Sequence, residues 1–146
     1  SGDGGKTFGR VTGGLPTGRW QVLRAQPGVK QALWLALDHG GLLRSPDGGK
    51  TFARVPGVKW AHQLAFGKAQ PGGLAAAVYL FGVLASDPEG QPAVYRSLDQ
   101  GQSWLRISVP EIALGAGPQV LEASREHFGV VFVGTAGRGI FVGAPL

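Results

Sequence analysis

The sequence of 146 residues contains no cysteine and no methionine. Without cysteine there can be no disulfide, no thiol nucleophile and no thiolate metal site. With no initiator methionine and no leader ahead of Ser1, the chain is expected to be processed or to be part of a longer polypeptide. Charged residues are few, at 16%, and aromatics make up 9%. The 14 Lys and Arg outnumber the nine acids and give a net charge of +5, yet no two of them fall within three consecutive positions. That dispersal makes no basic helix and no aromatic-basic motif, so nucleic acid is not an expected partner. Apolar runs are short. The longest, 74–85, is broken by Gly82 and falls well below the roughly 20 residues that span a bilayer, so no membrane partner is expected either.

What is abundant is glycine, 26 residues, together with 10 prolines. They punctuate runs rich in Val, Leu and Ala: QALWLALD, AAAVYLFGVL, VVFVGT and GIFVGA. This pattern reads as turns between short buried strands. The best helical window, 120–128, has apolar residues only at Val120, Leu121 and Phe128, without a sustained 3.6-residue stripe. The chain is expected to be all-β.

One phrase occurs three times. SGDGGKTF, RSPDGGKTF and RSLDQGQSW share the pattern S-x-D-x-G-x-[T/S]-[F/W], with its serine at Ser1, Ser45 and Ser97. A repeat every 40–50 residues or so is the period of a four-stranded propeller blade. Strands are expected at 7–11, then 19–25, 31–38, 41–44 and 51–55, then 62–67, 74–84, 93–96 and 104–109, and finally 120–124, 130–135 and 140–143. This predicts a single partial propeller domain of about three four-stranded blades. Residues 1–12 form the last strand of one blade, 13–57 and 58–110 form two blades, and 111–146 form an incomplete one. A closed ring typically takes four to eight blades. The expected partners are therefore upstream blades of the same protein, or a second copy whose 7–11 segment completes the last blade.

The repeated phrase has a local physical logic. An aspartate can accept hydrogen bonds from N–H groups further along its own turn, and glycine supplies a positive φ. The hydroxyl residues are expected to tie two strands together, and the aromatic to turn inward. A calcium loop would need more oxygen donors at regular spacing and a terminal Glu. No metal or other cofactor is expected.

The phrase resembles the Asp-box, or bacterial neuraminidase repeat. It does so at Ser1, Asp3, Gly5, Thr7 and Phe8, at Ser45, Asp47, Gly49, Thr51 and Phe52, and at Ser97, Asp99, Gly101, Ser103 and Trp104. The resemblance implies structural turns between the third and fourth strands of a blade, on the rim. Such boxes occur in sialidases, sortilin-like receptors, photosynthesis assembly factors and several glycosidases. The text around them is more specific. GGLLRSPDGGKTF, LAFGKAQPGG, AVYLFGV, AVYRSLDQGQSWLRI and VVFVGTAGRGIFVGAP, in this order, resemble the C-terminal end of glycoside hydrolase family 74. These are xyloglucanases of two seven-bladed propellers with the sugar chain in the cleft between them. Three departures stand out: Ala136 where the family usually has Asn, Glu122-Ala123-Ser124-Arg125 where it has Gly-Asp-Pro, and an inserted SDPEGQP at 86–92.

The resemblance implies a secreted, inverting enzyme acting on xyloglucan or a related β-1,4-glucan. It places both catalytic aspartates upstream of this chain. The segment is then structural and cleft-forming, and the polysaccharide is the implied ligand. A non-enzymatic sortilin-like or assembly-factor-like binding propeller, and a self-associating half-propeller, are the alternatives. His39, His62 and His127 are isolated in the sequence and show no metal-ligand spacing. Trp34 alternates with Ala32 and Ala36, which suggests packing between blades. Trp20 and Trp60 begin strands just after turns, where an indole could stack on the apolar face of a sugar. The sugar-binding candidates are Trp60, with His62 beside it, then Trp20 and Arg138.

Overall fold

A computed structural model describes residues 3–10, 15, 22–109 and 117–145. Ser1, Trp20 and Glu111 fall outside the described residues. Within them lie eleven strands and no helix. β1 (Val22–Ala25), β2 (Leu33–Ala36), β3 (Leu42–Ser45) and β4 (Ala53–Arg54) form the first sheet. β5 (Val58–Gly67), β6 (Ala77–Leu84), β7 (Ala93–Ser97) and β8 (Leu105–Arg106) form the second. β9 (Pro118–Ala123), β10 (Val131–Thr135) and β11 (Gly139–Gly143) form a third. Each sheet is an antiparallel meander in chain order, and the first strands β1, β5 and β9 lie next to one another.

The sheets stack face to face, and side-chain parity decides what each residue meets. Trp34, Ala36 and Leu42 of the first sheet pack against Leu64, Phe66, Val78 and Leu80 of the second. The intervening residues Ala65, Ala77, Tyr79 and Phe81 turn the other way, against Leu121, Ala123, Val131 and Val133 of the third. Both faces of the second sheet are thereby covered. That is why β6 is a nearly continuous apolar run rather than an alternating one. Trp34 is fully buried, with its edge to Phe66 and its indole N–H donating to Gln26 Oε1 at 2.9 Å. On the far face of the first sheet, Leu35, Leu37 and Leu43 cluster with Phe52.

Several strands begin elsewhere than expected. β5 starts at Val58 rather than 62, because register shifts between Val58 and Trp60 and between Ala61 and Gln63 let Val58, Trp60 and Ala61 also pair with β6. β6 starts at Ala77 rather than 74, and Leu74 is wholly exposed in the preceding loop. β9 starts at Pro118 rather than 120. No strand forms at Thr7–Arg10, and Phe8 is 83% exposed instead of turned inward. A strand needs a laddered neighbour to satisfy its amides, and none of the described strands pairs with this segment.

Candidate functional site

Strands alternate in direction, so the connections of each sheet segregate to two ends. The repeated motifs join β3 to β4 and β7 to β8 at one end. There Asp47 accepts the Thr51 N–H at 2.9 Å and the Thr51 hydroxyl at 2.6 Å, and Asp99 accepts the Ser103 N–H at 2.9 Å. Asp3 makes the same clamp on Thr7, at 3.0 and 2.6 Å. Ser45 and Ser97 are buried, donate to their own aspartates at 2.8 Å, and accept the N–H of Gly49 and Gly101 at 2.8 and 2.7 Å. The hydroxyls thus stay within the turn instead of tying two strands together. The motif has already used the serine by the time the second strand begins.

The electrostatics agree with a structural role. Bonds from the Thr51 hydroxyl and amide hold the Asp47 carboxyl at about 2. Partial burial pushes Asp99 upward, but bonds from Ser103 and Ser97 outweigh it and bring it to about 2 as well. The motif aromatics Phe52 and Trp104 are partly buried against the two cores of the first sheet. The third motif turn also docks on the first sheet. A Cβ on Gly101 would stand 3.1 Å from Trp34, and Gln100 accepts a hydrogen bond from Arg44, whose guanidinium lies over Trp34.

The opposite end carries the β2–β3 turn, the β4–β5 connector, the β6–β7 hairpin and the β10–β11 hairpin. It gathers the aromatic and titratable side chains. Asp38, in the β2–β3 turn with φ 53°, exchanges backbone hydrogen bonds with Ala61 of β5 at 2.8 and 3.0 Å. Its side chain meets His62 Nδ1 at 2.8 Å. The His62 ring stacks on Trp60 with centroids 5.1 Å apart and planes 12° from parallel, and Phe81 closes the edge of both rings. His39 lies 6.4 Å from Trp60. A groove of about 460 Å³ opens beside this cluster, lined by His39, Lys59, Trp60, Val83, Gly90 and Pro92.

Gly82 is what allows Trp60 this position. A Cβ there would stand 2.2 Å from the Trp60 carbonyl oxygen. The bulged backbone of β5 presses directly on β6 at that point.

Trp60 and His62 are therefore brought together. Arg138 sits exposed in the β10–β11 hairpin, at the same end but outside this groove, its N–H donating to Thr135 Oγ1 at 3.2 Å. Asp38 and His39 join Trp60 and His62 in this cluster. Their D-H-G-G turn was the available signal, but only stacking of the sheets carries them to Trp60. His62 is correspondingly not isolated. Among the described residues no three His, Asp or Glu form a metal-sized group. A second cleft of about 440 Å³, between the second and third sheets, is lined mainly by Val94, Ile107, Val109, Val131, Val133 and Phe141 and offers little but apolar wall.

Stacked antiparallel meanders of this kind define the chain as part of a β-propeller. No family model matches it. It is 37% identical over 143 residues to a xyloglucanase of Acetivibrio thermocellus, a match covering 98% of this chain and 16% of the relative. A family 74 glycoside hydrolase of Niastella koreensis superposes with a TM-score of 0.74 at 32% identity, over 84% of this chain and 18% of that one. The family 74 xyloglucanase of Xanthomonas campestris superposes at 0.73 and 34%, over 88% and 17%. The chain is homologous to a segment of the glycoside hydrolase family 74 xyloglucanases and spans about a sixth of the length of its curated relative.

Proposed function

We propose that the chain is the C-terminal propeller segment of a secreted glycoside hydrolase cleaving xyloglucan or a related β-1,4-glucan. In this reading it forms part of the wall of the substrate cleft and does not supply the catalytic carboxylates. The observation that carries the proposal is its alignment, over 98% of its length, to a xyloglucanase.

The chemistry of the acids supports the division of labour. Inverting hydrolysis needs an acid and a base roughly 6.5–9.5 Å apart, with room for a water between them. Asp3, Asp47 and Asp99 are consumed by their turns. Asp38 is engaged by His62, Asp87 by Tyr95, and Glu122 by Arg24 at 3.4 Å. Trp60 is the natural platform for a sugar ring, since pyranose C–H faces stack on indole and His62 already backs the ring. Lys59 and His39 stand where they can hydrogen-bond hydroxyls at its edge.

The test is xyloglucan hydrolysis by the intact parent protein and by this chain alone, with Trp60→Ala made in the parent. Hydrolysis only by the parent, and a raised KM in the variant, support the reading. Turnover by the isolated chain overturns it.

A further inference from the structure

The inserted hairpin between β6 and β7 is held mainly through Asp87. Asp87 is its anchor, with a side chain only 8% exposed although the residues after it are open to solvent. Its Oδ2 accepts the Tyr95 hydroxyl at 2.7 Å and faces Arg106 Nη1 at 3.5 Å. Its Oδ1 accepts the N–H of Glu89 at 3.1 Å, and its carbonyl accepts that of Gly90 at 3.3 Å. One carboxylate therefore grips the sheet with one oxygen and the loop with the other. The grip reaches deep, because Tyr95 is buried in the core between the first and second sheets. Glu89 adds a 3.9 Å contact to the same Arg106, and Ala85 N–H donates to the carbonyl of Gly57 in the β4–β5 connector at 2.8 Å. The Tyr95 bond, aided by the Glu89 amide and the charge of Arg106, holds the Asp87 carboxyl below its ordinary range despite its burial. The anchor thus stays ionised at neutral pH.

What the anchor holds is a wall. Gly90 and Pro92, shortly beyond it, line the groove together with His39 and Trp60. A loop of seven inserted residues with exposed Pro, Glu, Gly and Gln would otherwise sample many positions. We propose that Asp87 is a positioning residue that fixes the 85–92 hairpin as the outer wall of the Trp60 groove, so that a β-glucan chain meets the indole in one lateral register. The proposal rests on the reading of Trp60 as a sugar platform.

The experiment uses the intact parent protein with a xyloglucan-derived oligosaccharide as probe. Asp87→Asn and Tyr95→Phe loosen the anchor, and the second leaves the core packing in place should the first fail to fold. Amide hydrogen exchange across 86–92 and oligosaccharide Kd by calorimetry are read on both variants and on Trp60→Ala. Exchange at Glu89–Gln91 about tenfold faster is expected in the anchor variants, with Kd raised about three- to tenfold by the ordering the ligand must then impose. A merely structural anchor would lower Tm and leave Kd untouched. Unchanged exchange, or faster exchange at wild-type Kd while Trp60→Ala still weakens binding, overturns the proposal and leaves the platform standing. Wild-type Kd in Trp60→Ala overturns the platform, and the role of Asp87 at the groove with it.

Discussion

Asp38 and His62 are 24 residues apart in sequence and 2.8 Å apart in space. The bond joins two sheets, next to the paired backbone bonds between Asp38 and Ala61. Asp38 also sits at φ 53°, a conformation that aspartate and asparagine tolerate better than alanine. Asp38→Ala is expected to destabilise the fold by about 2 kcal/mol, combining a lost half-buried hydrogen bond with backbone strain. Asp38→Asn keeps an acceptor for the His62 N–H and is expected to lose less than half as much. Urea unfolding of both variants checks the order.

Gly82 gives a sharper prediction. A methyl group at this position meets backbone rather than a flexible side chain. Gly82→Ala is expected to cost about 2–3 kcal/mol, the upper range for overpacking a buried site. It should also move Trp60 off His62, which near-UV circular dichroism would register.

Gln100 occupies φ 60° where the other two motifs place Gly4 and Gly48 at 73° and 75°. Its amide holds Arg44 of the neighbouring sheet. Gln100→Ala loses that bond and keeps the strained conformation, whereas Gln100→Gly loses the bond and relieves the strain. Alanine is expected to be the less stable of the two by about 1 kcal/mol in thermal or urea unfolding.

Acid sensitivity follows from the motif aspartates. The Asp47 and Asp99 carboxyls lie at about 2 in the folded protein against an ordinary 3.8. Their contribution to stability is therefore complete above the ordinary value and disappears as pH falls from there towards about 2. Asp47→Asn with Asp99→Asn should lower Tm at pH 7 and flatten its fall between pH 4 and 2. An unchanged acid slope in the double variant would show that other groups govern it.

The parts of this fold that could be read from sequence are those with local causes. The motif turns are self-contained hydrogen-bonded units, so S-x-D-x-G-x-[T/S] announces them; the Asp3–Thr7 clamp forms even though Thr7–Arg10 make no strand. β6 is legible because a strand covered on both faces leaves a long apolar run. The start of β5 was not, because Val58-Lys59-Trp60 pairs only through a bulge that Gly82 makes room for on a different strand. The site was half legible. Trp60 and His62 share a strand and could be read together, whereas Asp38, His39 and the Asp87–Tyr95 anchor depend on how sheets and hairpins meet.

The alternation along β6 has a consequence for how the chain tolerates change. Val78 and Leu80 answer to the first sheet, and Tyr79 and Phe81 to the third. Neighbouring positions on one strand are thus governed by different partners. A substitution at Val78 or Leu80 asks for compensation from the first sheet, and one at Tyr79 or Phe81 from the third. Blades flanking the second sheet can therefore diverge independently of each other, each constrained by its own set of residues on the same strand.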